Sequence, residues 1–207
     1  MHPTNRNGQA ELAIFATAAR FMGIPFRELP IGIFVSREQD GSERDGMFLI
    51  HAFNSSRFFA FVERTFFHTP YYPGDIHVSI EPPVAIRLTA NRRDVLQLEM
   101  RPDTAHALQT ASHASSDIWE GPIFLPTDPT RKNAPRRLFY GRLQGTTRSH
   151  ACSANDIVSI RPAAEAPVFA WLLESGFTGR EWTIRENATH AKSKTVARNH
   201  LWAPVVS

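Results

Sequence analysis

Glu28 is the residue of this sequence best suited to carrying a proton. It lies in the stretch "RELPIGIFVS", directly before a run rich in apolar and β-branched residues. A carboxyl group held in apolar surroundings has a raised pKa, and it can then exchange protons near neutral pH. The alternative is a surface pair of Arg27 and Glu28 at the end of a strand. The local sequence leaves both interpretations open.

Two adjacent tyrosines offer a second kind of chemistry. Tyr71 and Tyr72 stand between Pro70 and Pro73, a combination that predicts a turn. A phenol is protonated at neutral pH, and it can donate a hydrogen bond to a carbonyl oxygen or to an enolate. Because neighbouring residues of an extended segment point to opposite sides, we expect only one of the two rings to face a cavity. The alternative is core packing with a satisfied hydroxyl.

The nine histidines do not form a recognisable metal motif. Neither H-E-x-x-H nor H-x-E followed by C-x-x-C occurs, and the G-x-S-x-G motif of serine hydrolases does not occur either. Glycine-rich phosphate loops are also absent from the sequence. We therefore expect no metal site and no cofactor, with the histidines dispersed over the surface and the core.

Composition and charge narrow the class of protein. The chain has 207 residues, of which 42% are hydrophobic, enough for one sizeable core. Cys152 is the single cysteine and no apolar stretch reaches bilayer length, so we expect a cytoplasmic protein without a membrane partner. The net charge is +3, but the basic residues are scattered among acids, so we expect no nucleic acid partner.

The elements that must position Glu28 and the tyrosines are partly readable. The segment "AELAIFATAARF" is ambiguous, because its alanines favour a helix while a strand is also possible. Residues 28–36 and 47–53 predict an antiparallel hairpin. Ser56 and its neighbours can cap a helix through "RFFAFVERTFF". Apolar residues at helical spacing in this helix predict one buried stripe, which consists of Phe58, Phe59, Val62 and Phe66.

The remaining pattern predicts further strands and one more helix. Strands are expected in "DIHVSIEPPVAIRLT", "DVLQLEMR", residues 138–143 and "DIVSIRP", and a helix in "EAPVFAWLLESGF" that stops at Gly176. The small polar stretch 103–116 predicts a surface excursion or a weak helix. We expect a flexible leader at 1–9, one domain at 10–175, and an extension at 176–207 packed on that domain or on a partner. The fold class is α+β and mainly antiparallel β.

Three separated motifs together resemble the acetoacetate decarboxylase-like superfamily. The first, Phe26-Arg27-Glu28 before "LPIGIFVS", resembles the Tyr-Thr-Glu segment of the family, whose glutamate is catalytic. The second, "MFLIHAFNSSRFFAFVERTFFHTPYYPGDIHVSI", is similar to the family's strand, Gly-Arg-Glu segment, Tyr-Pro-Lys-Lys and next strand. The third, Trp119-Glu120-Gly121-Pro122, resembles its Trp-x-Gly-Pro. The collinear set spans about residues 11–175 and is more similar to uncharacterised bacterial branches with Pro-Tyr-Tyr.

The resemblance implies a fold and an assembly. The expected fold is a cone-like antiparallel β-barrel with a central apolar cavity and a few flanking helices. It also implies that the segment "AELAIFATAARF" is a strand that leads to Glu28. Compared with the classical enzymes of the family, several dozen N-terminal residues are lacking. A smaller barrel or one completed by a partner subunit is therefore expected, and we expect a homo-oligomer.

The sequence departs from the family at its reactive lysines. In the classical enzymes a desolvated lysine beside a second lysine forms a Schiff base with a ketone. Those two positions are Tyr71 and Tyr72 here, and no lysine precedes Lys132 in the chain. Decarboxylation through a Schiff base of the family type is therefore not expected.

Two functions remain, from different classes. The first is an enzyme acting on a small carbonyl or polyketide-like substrate by dehydration, isomerisation or cyclisation. In it Glu28 moves a proton and Tyr71 or Tyr72 stabilises the enolate oxygen. The predicted substrate-binding residues of this enzyme are Arg27, Arg64, His68 and Trp119. The second function is a non-catalytic module that binds a small molecule in the same cavity.

Overall fold

The computed structural model of the protein describes residues 1–81, 83–90, 92–101, 103, 115–127, 135–164 and 166–197. The helices are α1 (Arg57–Phe66) and α2 (Val168–Glu174). The strands are β1 (His2–Pro3), β2 (Asn5–Arg6), β3 (Gln9–Ala10), β4 (Leu12–Ile14), β5 (Thr17–Phe21), β6 (Ile24–Ser36), β7 (Gly46–Asn54), β8 (Tyr71–Pro73), β9 (Asp75–Ser79), β10 (Ala85–Ala90), β11 (Arg93–Glu99), β12 (Ser115–Leu125), β13 (Arg137–Ala151), β14 (Ile157–Ile160), β15 (Glu181–Lys192) and β16 (Val196–Ala197).

Most of the strands belong to one large sheet. Its main path runs β1-β6-β7-β12-β13-β15, with β4 and β5 paired to β6, β8 paired to β7, and β16 paired to β13. A separate four-stranded sheet has the order β14-β11-β10-β9. Most pairs are antiparallel, as predicted, while β7 pairs with β8 and β12 in parallel. Within the described ranges the pairings form an open path, so they show no closed barrel.

The predicted hairpin before the site is confirmed. Strands β6 and β7 are antiparallel, and Glu28 pairs directly with Asn54. The ambiguous alanine-rich segment is extended, because β4 and β5 both pair with β6. Tertiary pairing therefore outweighs the helix propensity of alanine. Residues of the predicted leader also pair with this sheet, since His2 lies opposite Ser36.

An irregularity in the hairpin decides which residues reach the site. The register shifts between Ile31 and Gly32, so Ile50 is an extra residue in β7. A bulge of this kind reverses the alternation of side chains beyond it. Ala52 and Asn54 consequently lie on the same face as Met47. Without the bulge, Asn54 would point to the opposite face from the one that Glu28 and Tyr71 share.

The two faces of the β6–β7 hairpin carry different cores. On one face the four-stranded sheet and α2 cover a large apolar cluster that includes Leu29, Ile31, Phe53, Leu88, Leu96, Phe169 and Leu172. On the other face lies a smaller cluster that consists of Met47, Leu49, Ala52, Tyr71, Leu125 and Phe139. We call this second cluster the site-side core. Tyr71 therefore belongs to the interior.

Helix α1 confirms its predicted limits but not its predicted buried stripe. It starts at the Ser56 cap, whose hydroxyl accepts a hydrogen bond from the Phe59 amide. Phe58 and Phe66 are each 67% exposed, whereas the small residue Ala60 is buried against the sheet. The stripe prediction was wrong for Phe58 and Phe66, because the helix presents its small residue to the core and leaves these two rings outside, whereas Phe59 and Val62 are half-buried. Phe59 packs instead on Phe21 and Phe26 of the β5–β6 hairpin.

The segment that contains the two tyrosines is extended. Pro-Tyr-Tyr-Pro was predicted to form a turn, but Tyr71–Pro73 is a short strand parallel to β7. The reversal occurs just before it, at His68, which has a φ of 55°. Most of the stretch 103–116, like Lys132, lies outside the described residues. No helix in the described part of the chain is long and apolar enough to cross a membrane.

Candidate functional site

The centre of the site is a hydrogen-bonded group of Glu28, Tyr71 and Asn54. The Tyr71 hydroxyl donates to Glu28 Oε2 at 3.3 Å, and Asn54 Nδ2 donates to Glu28 Oε1 at 3.1 Å. Asn54 is fully buried, and Tyr71 is 7% exposed. Three strands supply the group, since Glu28 is on β6, Asn54 on β7 and Tyr71 on β8. The sheet therefore holds the carboxyl group between two fixed donors.

The surroundings raise the pKa of Glu28 to about 7. Burial is the largest cause, and the negative charge of Glu63 adds to it. The positive charge of Lys192 and the hydrogen bonds from Tyr71 and Asn54 oppose the rise. Burial also raises the pKa of Tyr71 well above its usual value, with the charges of Glu28 and Glu63 acting in the same direction. Near neutral pH Glu28 is therefore close to half ionised, while Tyr71 stays a proton donor.

A second group of charged residues lies next to this centre. Glu63 of α1 accepts a hydrogen bond from the Thr69 hydroxyl at 2.9 Å and contacts the ammonium group of Lys192. The Lys192 Nζ also lies 4.6 Å from the centroid of the Phe67 ring and 4.8 Å from that of Phe139. Such faces attract a cation. Lys192 comes from the end of β15, far along the chain from Glu28.

The structure separates the two tyrosines. Tyr71 lies in the site-side core, while Tyr72 is 38% exposed and stacks on His51 with ring centroids 4.7 Å apart. This is the outcome that strand alternation predicts. Arg64 accompanies Tyr72, because its guanidinium lies 5.5 Å from the Tyr72 ring centroid. Tyr72 and Arg64 are thus placed away from the Glu28 carboxyl group.

The other predicted site residues differ in their surroundings. Arg27 is exposed, and its backbone amide donates to the Ser55 hydroxyl at 2.8 Å. His68 is exposed at the turn between α1 and β8. Trp119 is half-buried on β12 against two glycines, and a Cβ at Gly141 would lie 3.2 Å from its ring. Of the predicted set, the structure therefore brings together Glu28 and Tyr71.

Three residues of the group escaped the sequence reasoning, namely Asn54, Glu63 and Lys192. Asn54 was noticed as a helix cap, and its side-chain oxygen does accept from the Ser56 amide at 2.8 Å. Its side-chain nitrogen, Nδ2, reaches Glu28 only because of the bulge at Ile50. Lys192 had no local signal at all, since its place depends on the pairing of Lys192 with Gly141 across β13 and β15.

Among the residues described by the structure, no group of three or more His, Cys, Asp or Glu side chains could hold a metal ion. Cys152 is half-buried, and burial raises the pKa of its thiol to about 11. A thiol of this kind is largely un-ionised at neutral pH, which makes it a weak nucleophile.

Comparison with known proteins gives structural neighbours only. No model of a protein family matches the sequence, and no curated protein matches it. The chain is similar to the acetoacetate decarboxylase from Legionella pneumophila subsp. pneumophila str. Philadelphia 1, with a TM-score of 0.48 and 14% identity, covering 84% of this chain and 65% of that one. It thus spans less than two thirds of the Legionella enzyme. Another solved structure of acetoacetate decarboxylase has a TM-score of 0.48 and 13% identity, covering 81% of this chain and 68% of that one.

Proposed function

We propose that the protein is an acetoacetate decarboxylase-like enzyme that moves a proton at the carbon next to a substrate carbonyl, without an imine. The observation that carries the proposal is the hydrogen bond from the Tyr71 hydroxyl to Glu28, a carboxyl group whose pKa burial raises to about 7. A base with a pKa near the working pH is both ionised often enough and basic enough to take such a proton.

The proposed step uses the two residues in separate roles. Glu28 in its ionised form removes the α-proton, and the electrons of the C–H bond move to the carbonyl oxygen to give an enolate. Tyr71 turns its hydroxyl from Glu28 to that oxygen and stabilises the negative charge. Return of the proton from Glu28 to another carbon gives isomerisation. If a β-hydroxyl group leaves instead, the same proton departs with it as water, which gives dehydration. Attack of the enolate carbon on a second carbonyl of the same molecule forms a C–C bond, and the resulting alkoxide takes the proton from Glu28, which gives cyclisation.

The remaining predicted residues have supporting places in this proposal. Arg27 and His68 are exposed, and in the proposal they contact the outer end of a substrate. Arg64 and Tyr72 hold each other at the surface. Trp119 contributes an apolar wall on β12. The substrate class is a small carbonyl or polyketide-like compound, taken up in a cytoplasmic setting.

The test is hydrogen exchange at the α-carbon. Small ketones and 1,3-dicarbonyl compounds are incubated with the protein in D₂O, and loss of the α-proton signal is followed by NMR. We expect exchange above the buffer rate for at least one compound, and a loss of about 100-fold in Glu28→Gln. Glu120→Gln is the matched control, because Glu120 is exposed on β12. Equal exchange by wild type and Glu28→Gln for every compound would contradict the proposal.

A binding module is the second candidate, and one observation favours it. Both oxygens of Glu28 already accept hydrogen bonds from protein donors, as a purely structural carboxyl group would. This function predicts a tightly held small molecule and no turnover. Native mass spectrometry of the purified protein tests it: a ligand that is lost only on denaturation supports the binding module.

The same spectrum gives the number of subunits, for which we propose a homo-oligomer.

A further inference from the structure

The Lys192 ammonium group is held in a defined position. It contacts Glu63, and it lies between the rings of Phe67 and Phe139 at centroid distances of 4.6 and 4.8 Å. The segment after it is fastened as well, because the Thr195 hydroxyl donates to the Phe67 carbonyl oxygen at 2.9 Å. One carboxylate and two aromatic faces all attract a cation, so this is a built site for a positive charge.

The geometry ties this positive charge to Glu28. Thr69 bonds to Glu63 and Tyr71 bonds to Glu28, and these two buried residues are separated in the chain by Pro70 alone. Phe139, which Lys192 touches, packs in the same site-side core as Tyr71. Glu63 and Lys192 therefore lie beside the carboxyl group that the proposed reaction uses.

We propose that Lys192 and Glu63 form a charge-setting pair, in which Glu63 holds the Lys192 ammonium and that ammonium stabilises the ionised form of Glu28. The inference rests on the proposed function for its catalytic meaning. Lys192 acts here as a positioning residue through Glu28. Its ammonium group is paired with a carboxylate, and an ammonium nitrogen has no lone pair for attack on a carbonyl.

The positive charge of Lys192 answers a need of the proposed reaction. Burial and the charge of Glu63 both favour the neutral form of Glu28, and a neutral carboxylic acid cannot remove a proton. The titratable groups that act on Glu28 from the neighbouring elements are Tyr71 on β8, Glu63 on α1 and Lys192 on β15. β7 contributes the uncharged Asn54. Among these groups Lys192 carries the positive charge that favours the ionised base.

The experiment measures the titration of Glu28 directly. The full chain is labelled with ¹³C at the glutamate carboxyl carbon, Glu28 is assigned from the Glu28→Gln spectrum, and its midpoint is followed by NMR. We expect Lys192→Met to raise the midpoint by at least about half a pH unit, since a nearby opposite charge is removed. Lys192→Arg retains the charge and is expected to rescue most of the shift. Lys194→Met is the matched control, because Lys194 is exposed two residues further on.

A second variant separates charge from loosened packing. Glu63→Gln removes a negative charge, so its Glu28 midpoint is expected to fall, opposite in sign to Lys192→Met. Glu63→Gln also tests the charge-setting pair by itself if Lys192→Met does not fold. The charge-setting pair would be overturned if the midpoints moved in the same direction in both variants, or if they did not move while the unfolding temperature dropped. Lys192 would then only hold β15 against α1.

A chemical arm tests the assignment of Lys192 as an ammonium. The protein is treated with acetylacetone and sodium borohydride, and the intact mass is measured. An adduct on Lys192 would overturn the assignment. Because titration is independent of turnover, the midpoint shifts can hold when no compound exchanges its α-proton. In that case the proposed function fails while the charge-setting pair stands.

Discussion

The location of Glu28 in the folded protein changes the pKa of its carboxyl group. Its ordinary pKa is 4.5, and the folded protein raises that pKa to about 7, chiefly by burial. The folded state therefore binds the Glu28 proton more tightly than the unfolded state between those two values. By linkage, the contribution of Glu28 to stability is full below pH 4.5 and is lost as the pH rises through 7.

The first prediction follows from that sign. Glu28→Gln imitates the neutral acid at every pH, so its stability relative to wild type is expected to increase by about 2 kcal/mol between pH 4.5 and 8, after an allowance for partial exposure. Urea unfolding at the two pH values measures the change. Glu120→Gln, on the exposed side of β12, is expected to show no such trend. A constant difference between Glu28→Gln and wild type would argue against a raised pKa.

The second prediction compares the two tyrosines. Tyr71→Phe removes the donor to Glu28 from a buried place, so we expect about a 10- to 100-fold loss of α-proton exchange. It should also cost about 1 kcal/mol of stability. Tyr72→Phe retains the ring that stacks on His51, and we expect exchange within about threefold of wild type. Equal losses in the two variants would refute the division of roles between the tyrosines.

At the scale of elements, α1 both covers the sheet and carries Glu63 towards the site. Its position depends on the cap at Ser56, whose hydroxyl accepts from the Phe59 amide at 3.3 Å, and on Asn54, which bonds to the Ser56 amide. Asn54 also donates to Glu28. The start of the helix and the Glu28 carboxyl group are therefore joined through one side chain.

The third prediction concerns this cap. Ser56→Ala is expected to lower the free energy of unfolding by about 1 kcal/mol, because the first turn loses its acceptor. Ser56→Asp keeps a capping oxygen and is expected to retain most of that stability. Thermal unfolding of the two variants measures the difference. If Ser56→Asp lost as much stability as Ser56→Ala, the side-chain cap would not be what stabilises α1.

At the scale of the whole molecule, the β6–β7 hairpin separates two cores that differ in size and in the residues that they contain. The large core joins the hairpin to the four-stranded sheet and α2, and it is mainly apolar. The site-side core is smaller and borders Glu28. His51 lies on the side of the hairpin away from Glu28, between the rings of Phe53 and Tyr72. Its Nε2 atom is buried and has no hydrogen-bond partner among the described residues.

The fourth prediction concerns acid stability. Burial lowers the pKa of His51 from 6.5 to about 4. Between these values the unfolded state binds the proton more tightly, so the stability is lost as the pH falls from 6.5 to 4, by up to about 3 kcal/mol. His51→Phe is expected to flatten this part of the stability curve, measured by urea unfolding. His77→Phe, at an exposed position on β9, is the control, and a change of the same size there would contradict the prediction.

Much of the local structure followed from the sequence alone. Alternation and turn residues were sufficient for the β6–β7 hairpin, and the Ser56 cap was sufficient for the start of α1. The candidates Glu28 and Tyr71 were also identified, because an acid before an apolar strand and a phenol between prolines have recognisable chemistry. These features depend on residues close together in the chain, where propensity and spacing act directly.

Tertiary structure decided what the local pattern could not. The choice of Tyr71 over Tyr72 required the parallel pairing of β8 with β7, and the contact of Asn54 with Glu28 required the bulge at Ile50. Lys192 reached the site through the register of β13 with β15. The pKa of Glu28 depends on burial and on the charges of Glu63 on α1 and Lys192 on β15. Each of these outcomes arises from contacts between distant segments, and desolvation exists only once those segments have packed together.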